Sequence, residues 1–293
     1  MTMSRYGIVA GYDGSPGSDQ ALRWAVEETR ARGCMLTVCL AWAPQYLAML
    51  DEPTVYDLAR KRGEQALASG LRYARSVLGD GSVVPLLACD AAVPVLCEQS
   101  GTAEMVVLGA RGHGGVAGLA LGSVPWQVAG HAQGPVVIVR GRWRRPNHPS
   151  GPVVAGADGS PASEDVIRFA LGEAELRRAP MLAVCALADA PGSLGCSHRI
   201  EEDFARVLRL HEKEHPELTV LRQVSAGSPR TALLDAAAGA QLLVVGSRGR
   251  GGFEGMSLGS VAQALMHHAP CPVAVLSQSA GRPGQRGESH PKA

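Results

Sequence analysis

Short, unbroken apolar runs alternate along the chain with longer amphipathic stretches. In the first half the runs are GIVAGY, MLTVCLAW, VVPLLA, EMVVLG and PVVIVR; in the second they are PVVAGA, MLAVCAL, LTVLRQV, LLVVG and PVAVLS. Continuous apolar runs of this length, without polar alternation, predict strands buried on both faces of a parallel sheet. The stretches between them carry helix signals. Ser15-Pro16 and Ser160-Pro161 each place a capping serine before a proline suited to the first helical position. A βαβ order running through both halves predicts an α/β chain of two tandem doubly wound parallel sheets with helices on both faces.

The two halves repeat one another. GYDGSPGSDQALRWA from Gly11 matches GADGSPASEDVIRFA from Gly156, an offset of 145 positions, and GARGHGGVAGLALGSV from Gly109 matches GSRGRGGFEGMSLGSV from Gly246, an offset of 137. The second copy is therefore eight residues shorter between the motifs. The missing length is expected after the second strand, where the first copy has an extra loop near residues 43–56. Residues 1–141 and 152–277 read as two domains. The segment GRWRRPNHPSG, rich in Pro and Arg and without periodicity, reads as a linker over 142–151. Its arginines, with Arg140, suit a solvated segment better than a partner surface. The polar tail 278–293 reads as disordered.

Composition narrows the classes. A formal net charge of +1 argues against a strongly basic nucleic-acid binder and against an acidic disordered chain. No uninterrupted apolar stretch approaches the roughly 18 residues of a membrane span, and the start has no signal-like apolar region, so a soluble, cytoplasmic protein is expected. Seven cysteines with no C-x-x-C spacing read as reduced, mostly buried small hydrophobes.

The candidate chemistry lies in a repeated glycine pattern, G-x2-G-x9-G-S. It runs through Gly109, Gly112 and Gly122-Ser123, and again through Gly246, Gly249 and Gly259-Ser260. Gly109 and Gly246 close a buried strand. The chain then turns through glycines able to adopt positive φ and to bring backbone N–H groups close to an anion. Gly122-Ser123 and Gly259-Ser260 open the next helix, whose free N–H donors and dipole favour phosphate. Asp13 and Asp158 end the first strand of each half, at the carboxyl edge where open α/β sheets bind ligands. Their carboxylates suit ribose or adenine, or a Mg²⁺ ion as second choice, with helix capping as the plainer role. Gly11 and Gly156, just below, leave room for a nucleotide. Arg111 and Arg248 sit in the turns at matching positions, placed either to reach phosphate or to pair at the surface. There is no phosphate-loop pattern of the G-x4-G-K-S/T type and no dinucleotide fingerprint. The histidines His113, His131, His267 and His268 have no metal-ligand spacing.

This pattern, the strand-ending aspartates and the duplicated layout resemble the ATP-binding class of the universal stress protein family, over about residues 5 to 277. The resemblance implies a five-stranded sheet in each half and adenine held partly by backbone at about Ala41 and Leu187. It carries a phosphate-binding role onto Gly109, Ala110, Arg111, Gly112, His113, Gly114 and Gly115 with Ser123 and Val124. In the second copy that role falls on Gly246, Ser247, Arg248, Gly249, Arg250, Gly251 and Gly252 with Ser260, Val261 and Ala262. It also implies pairing of the halves as a pseudo-dimer, further pairing of chains, and a regulatory role in a stress response with ATP as ligand. His113 against Arg250, and Pro125 against Ala262, depart from strict repetition, so sites of unequal affinity are expected. Slow ATP hydrolysis and a non-catalytic dimerising scaffold are the alternatives; no side chain is evidently placed as a general base.

Overall fold

The computed structural model describes residues 7–43, 53–113, 120–140, 151–160, 162–187, 194–250 and 257–277. The expectations for Gly114, Gly115, Gly251 and Gly252, for the linker through residue 150 and for the tail from 278 lie outside these. The first half runs β1 (Ile8–Gly11), α1 (Pro16–Arg32), β2 (Leu36–Ala41), α2 (Pro53–Leu78), β3 (Val83–Ala88), α3 (Ala92–Gln99), β4 (Met105–Gly109), α4 (Ser123–His131) and β5 (Val136–Val139). The second runs β6 (Val153–Gly156), α5 (Ala162–Arg177), β7 (Met181–Leu187), α6 (Leu194–Glu212), β8 (Val220–Ala226), α7 (Pro229–Ala236), β9 (Leu242–Gly246), α8 (Ser260–His268) and β10 (Val273–Leu276).

Each half forms a five-stranded parallel sheet, and the two are joined in the order β3-β2-β1-β4-β5-β10-β9-β6-β7-β8. The junction is the antiparallel pair β5–β10, with Val136 opposite Val275 and Ile138 opposite Val273. The two most apolar strands thus cover one another's edge within the chain. The outermost strands depart from the expectation of burial on both faces. Val84 on β3 and Leu221 and Val224 on β8, the two edge strands, are exposed. Pro85, without an N–H, is accommodated on such an edge.

Two cores flank the sheet, and each draws on both halves. One packs Leu22 and Trp24 of α1 with Ile167 and Leu171 of α5. The other packs Val128 of α4 with Leu265 of α8. Between α1 and α5 lies a ring of charge. Arg177 bonds Glu28 at 2.6 Å across the halves, Arg32 bonds Glu173, and each arginine also bonds the glutamate one turn earlier on its own helix. Glu104 joins at 3.4 Å from Arg32. Glu173 is almost fully buried. Burial, aided by the Glu28 charge and opposed by Arg177 and Arg32, pushes its carboxyl up to about 7. Arg140, read as part of a solvated stretch, instead donates to the carbonyl of Met266 on α8 and ties the end of β5 to the other half.

The strand registers, Leu36 with Val83 and Met181 with Val220, place the eight-residue difference between the second and third strands of each half. Much of it is helix rather than loop, since α2 has 26 residues and α6 has 19. Of the cysteines, Cys34, Cys39, Cys185 and Cys271 are buried, Cys97 is half-buried and Cys89 is exposed.

Candidate functional site

The carboxyl ends of β1 and β6 each carry an Asp-Gly-Ser turn. Gly14 and Gly159 take the left-handed conformation there, with φ of +82° and +70°. Ser15 then caps α1, its Oγ accepting from the Ser18 amide at 3.2 Å. The half-buried Asp13 carboxylate faces back across the chain. Its Oδ1 accepts from the Ser15 amide and its Oδ2 from the His113 amide, both at 2.9 Å. Asp158 repeats this, accepting from the Ser160 amide at 3.0 Å and the Arg250 amide at 2.8 Å. Each aspartate thereby clasps the glycine turn of its own half. Burial works against ionisation of both carboxyls. Hydrogen bonds from Ser15, the His113 amide and Ser18, or from Ser160, the Arg250 amide and Ser163, outweigh it and hold them below the usual carboxylate range.

The clasp explains the second glycine of the pattern. A Cβ on Gly112 would stand 2.4 Å from Asp13 Oδ2, and one on Gly249 2.6 Å from Asp158 Oδ2. The places beside Gly11 and Gly156 are likewise filled, by Leu108 at 2.4 Å and Leu233 at 2.9 Å from a built Cβ. Positive φ was expected of the turn glycines, but the glycines with positive φ do not include Gly109, Gly112, Gly246 or Gly249. Close approach of neighbouring atoms, not backbone handedness, requires glycine at Gly109, Gly112 and Gly249, and favours it more loosely at Gly246.

The turns return to the sheet in the same way. The Gly122 amide donates to Ala110 O at 2.8 Å and the Gly259 amide to Ser247 O at 2.7 Å. Gly122 and Gly259 are then the N-cap residues of α4 and α8, with no side-chain cap. The first amides of both helices consequently have no intrahelical acceptor. In α4 these are Ser123 and Val124, since Pro125 has no N–H; in α8, Ala262 adds a third. In the first half, Gly11, Asp13, Ala41, Gly109, Arg111, Gly112, Gly122, Ser123 and Val124 line one hollow of about 170 Å³, with Tyr12, Ser18, Cys39, Leu96 and Leu108 as further walls. Ala110 is buried beneath it, and the exposed His113 meets Asp13 through its backbone. Arg111 therefore lies at the hollow, while Arg248 is half-buried in the corresponding turn.

Two features went unread in the sequence. Ser18 and Ser163 brace the aspartates, their hydroxyls accepting from the Asp13 and Asp158 amides at 3.3 and 3.1 Å; the recurrence of that serine in both copies was the available signal. The strand registers also align Ala41 with Ala186, and Trp42 with Leu187, so the two positions expected to hold adenine are one residue out of step.

A model of the universal stress protein family matches residues 7–140 and 150–277. A universal stress protein of Mycolicibacterium smegmatis is 33% identical over 287 residues, covering 93% of this chain and 97% of that protein. One from Mycobacterium tuberculosis is 34% identical over 294 residues, covering 94% and 98%. The crystal structure of a universal stress protein from Archaeoglobus fulgidus aligns with a TM-score of 0.68 and 17% identity, covering 94% of this chain and 98% of that one; at that identity the likeness concerns the fold. Among the described residues, no helix is long and apolar enough to cross a membrane.

Proposed function

The chain belongs to the universal stress protein family, and from that premise we propose that it is a regulatory protein that binds ATP, with one site in each of the repeats 1–141 and 152–277. The observation that carries this reading is the clasped glycine turn, built twice, set beside a helix start whose amides lack acceptors. Such amides favour phosphate oxygens, and the dipole of the helix adds to them. In the first half, the hollow continues from these amides past Asp13 to Ala41, so one ligand with an anionic end and a polar, aromatic end suits its length. Both oxygens of Asp13, and Oδ2 of Asp158, accept from one amide each and retain a second lone pair, available to ribose hydroxyls. Mg²⁺ bound with ATP would offset the charge of the triphosphate.

Holding is favoured over hydrolysis. A carboxyl kept below its usual range is a weak base for activating water, and Asp13 and Asp158 are both of that kind. In this reading ATP biases conformation or assembly in a cytoplasmic stress response, and chains pair further as dimers. Comparing molecular size by light scattering with and without ATP tests that pairing.

The site itself is tested by Gly122→Asp and Gly259→Asp. A Cβ at these positions meets nothing closer than 3.6 and 3.4 Å, and aspartate is a favourable N-cap. The variants therefore fold while placing a carboxylate on the phosphate amides. Calorimetry with ATP and Mg²⁺ is expected to give two sites in the parent chain, one in each variant and none in the double variant. ATP at a hundredfold over Kd should stabilise the parent by about 2.7 kcal/mol for each occupied site. Undiminished binding by the double variant would reject the assignment.

A further inference from the structure

The two glycine turns share a backbone scheme but part at the residue after the second glycine. His113 and Arg250 both donate a main-chain amide to the aspartate of their half. Only Arg250 also commits its side chain. Its Nε donates to Asp158 O at 2.7 Å, and its Nη2 donates to Gly159 O at 2.9 Å and to Asp203 Oδ2 at 2.8 Å. Asp203 lies on α6. In the first half the corresponding place on α2 is taken by Ala66. A Cβ built on Gly159 would stand 2.8 Å from Asp203 Cβ and 2.9 Å from Arg250 Nη2; one on Gly14 would stand 3.5 Å from Ala66 Cβ and 3.8 Å from His113 Nε2. The difference is therefore a matched pair: arginine faces aspartate in one copy, and histidine faces alanine in the other.

Resting on the nucleotide reading of the site, we propose that the Arg250–Asp203 pair is a latch that sets the affinity of the second site for polyphosphate, holding it below what its arginine would otherwise give. While latched, the Nε and Nη2 hydrogens of the guanidinium are bound to the protein and its charge is matched by the Asp203 carboxylate. A triphosphate arriving there gains the arginine only as the pair opens. The ion pair lies at the surface, with 36% and 39% of the side chains exposed, so parting its two charges costs little beyond the two main-chain hydrogen bonds of Arg250. Uncharged adenosine neither competes with Asp203 nor recruits Arg250. Asp203 acts through Arg250 and is in this sense a positioning residue.

The test uses the full chain carrying Gly122→Asp, so that only the second site reports. Asp203→Asn keeps the shape of the side chain and removes its charge. Calorimetry with ATP and Mg²⁺ should show binding tightened by about fivefold, the scale expected for one arginine charge released toward a surface-bound polyphosphate. Adenosine binding should not change, and the gain should vanish when Arg250→Ala is added. Unchanged or weaker ATP binding in Asp203→Asn overturns the latch, as does an equal gain for adenosine or a gain that survives loss of Arg250. The Gly259→Asp chain, reporting the first site, separates the two levels. If it binds ATP while the second site ignores Asp203→Asn, the latch alone fails. If neither background binds ATP, the nucleotide reading fails and the latch falls with it.

Discussion

The first glycine turn is packed against its helix; the second has slack. A Cβ on Gly109 would stand 2.5 Å from the Gly17 carbonyl and 2.9 Å from the Ser18 amide, and one on Gly17 would stand 2.1 Å from Arg111 O. In the second copy Ala162 replaces Gly17, and the nearest atom to a Cβ on Gly246 is Arg248 O at 3.0 Å. Both turns nonetheless keep the same clasp from aspartate to amide. One hydrogen-bond scheme is thus compatible with two packing solutions. A glycine shared by both copies can be indispensable in one and close to replaceable in the other.

Alanine at the two strand ends breaks this comparison most sharply. Gly109→Ala forces backbone against backbone and is expected to cost about 3 kcal/mol or more, whereas Gly246→Ala should cost about 1 kcal/mol. Urea unfolding of the two variants checks the ordering; equal costs would refute the packing difference. The next largest effect concerns the charge ring, where burial perturbs Glu173 of the second half. Its folded value of about 7 lies above its usual 4.5. Its contribution to stability is therefore fully present below about pH 4.5 and is lost as pH rises through about 7. Glu173→Gln should remove that slope, so that the variant gains stability relative to the parent as pH rises from about 4 to about 8. Thermal melts across that range decide it; an unaltered slope would count against it.

The smallest effect sharpens the comparison at the clasp itself. Asp13 and Asp158 are both held below the usual carboxylate range. The stability they lend is present above about pH 4 and falls away as pH drops through their folded values. Asp13→Asn and Asp158→Asn should each cost about 1–2 kcal/mol at neutral pH and less in acid. The loss should be greater at Asp158, whose Oδ1 also accepts from the Ser163 hydroxyl at 3.0 Å. Urea titrations at pH 7 and pH 3 measure both differences.

Much of this architecture is legible in the chain, because strands buried on both faces are written as unbroken apolar runs and a duplicated motif cross-checks its own register. The strand-ending aspartates and the helix-opening Gly-Ser pairs could be placed from sequence for that reason. What the glycines are for could not, since the atoms that crowd Gly109 and Gly112 come from α1 and from Asp13, far away in sequence. The ring of Glu28, Arg32, Glu173 and Arg177 was hidden for a related reason. Spaced i,i+4 on an amphipathic helix, such charges look like a solvated face until a second helix covers them. The extra residues of the first copy misled because Pro53 reads as loop, whereas it starts a helix.

The β5–β10 ladder has one more consequence. Halves joined by a covalent chain stay partnered however far the protein is diluted. Two separate copies of one gene product would have to carry the same residue beside each turn; here histidine can stand at one and arginine at the other. On the nucleotide reading proposed above, two unlike turns on one molecule would fill in two steps rather than one.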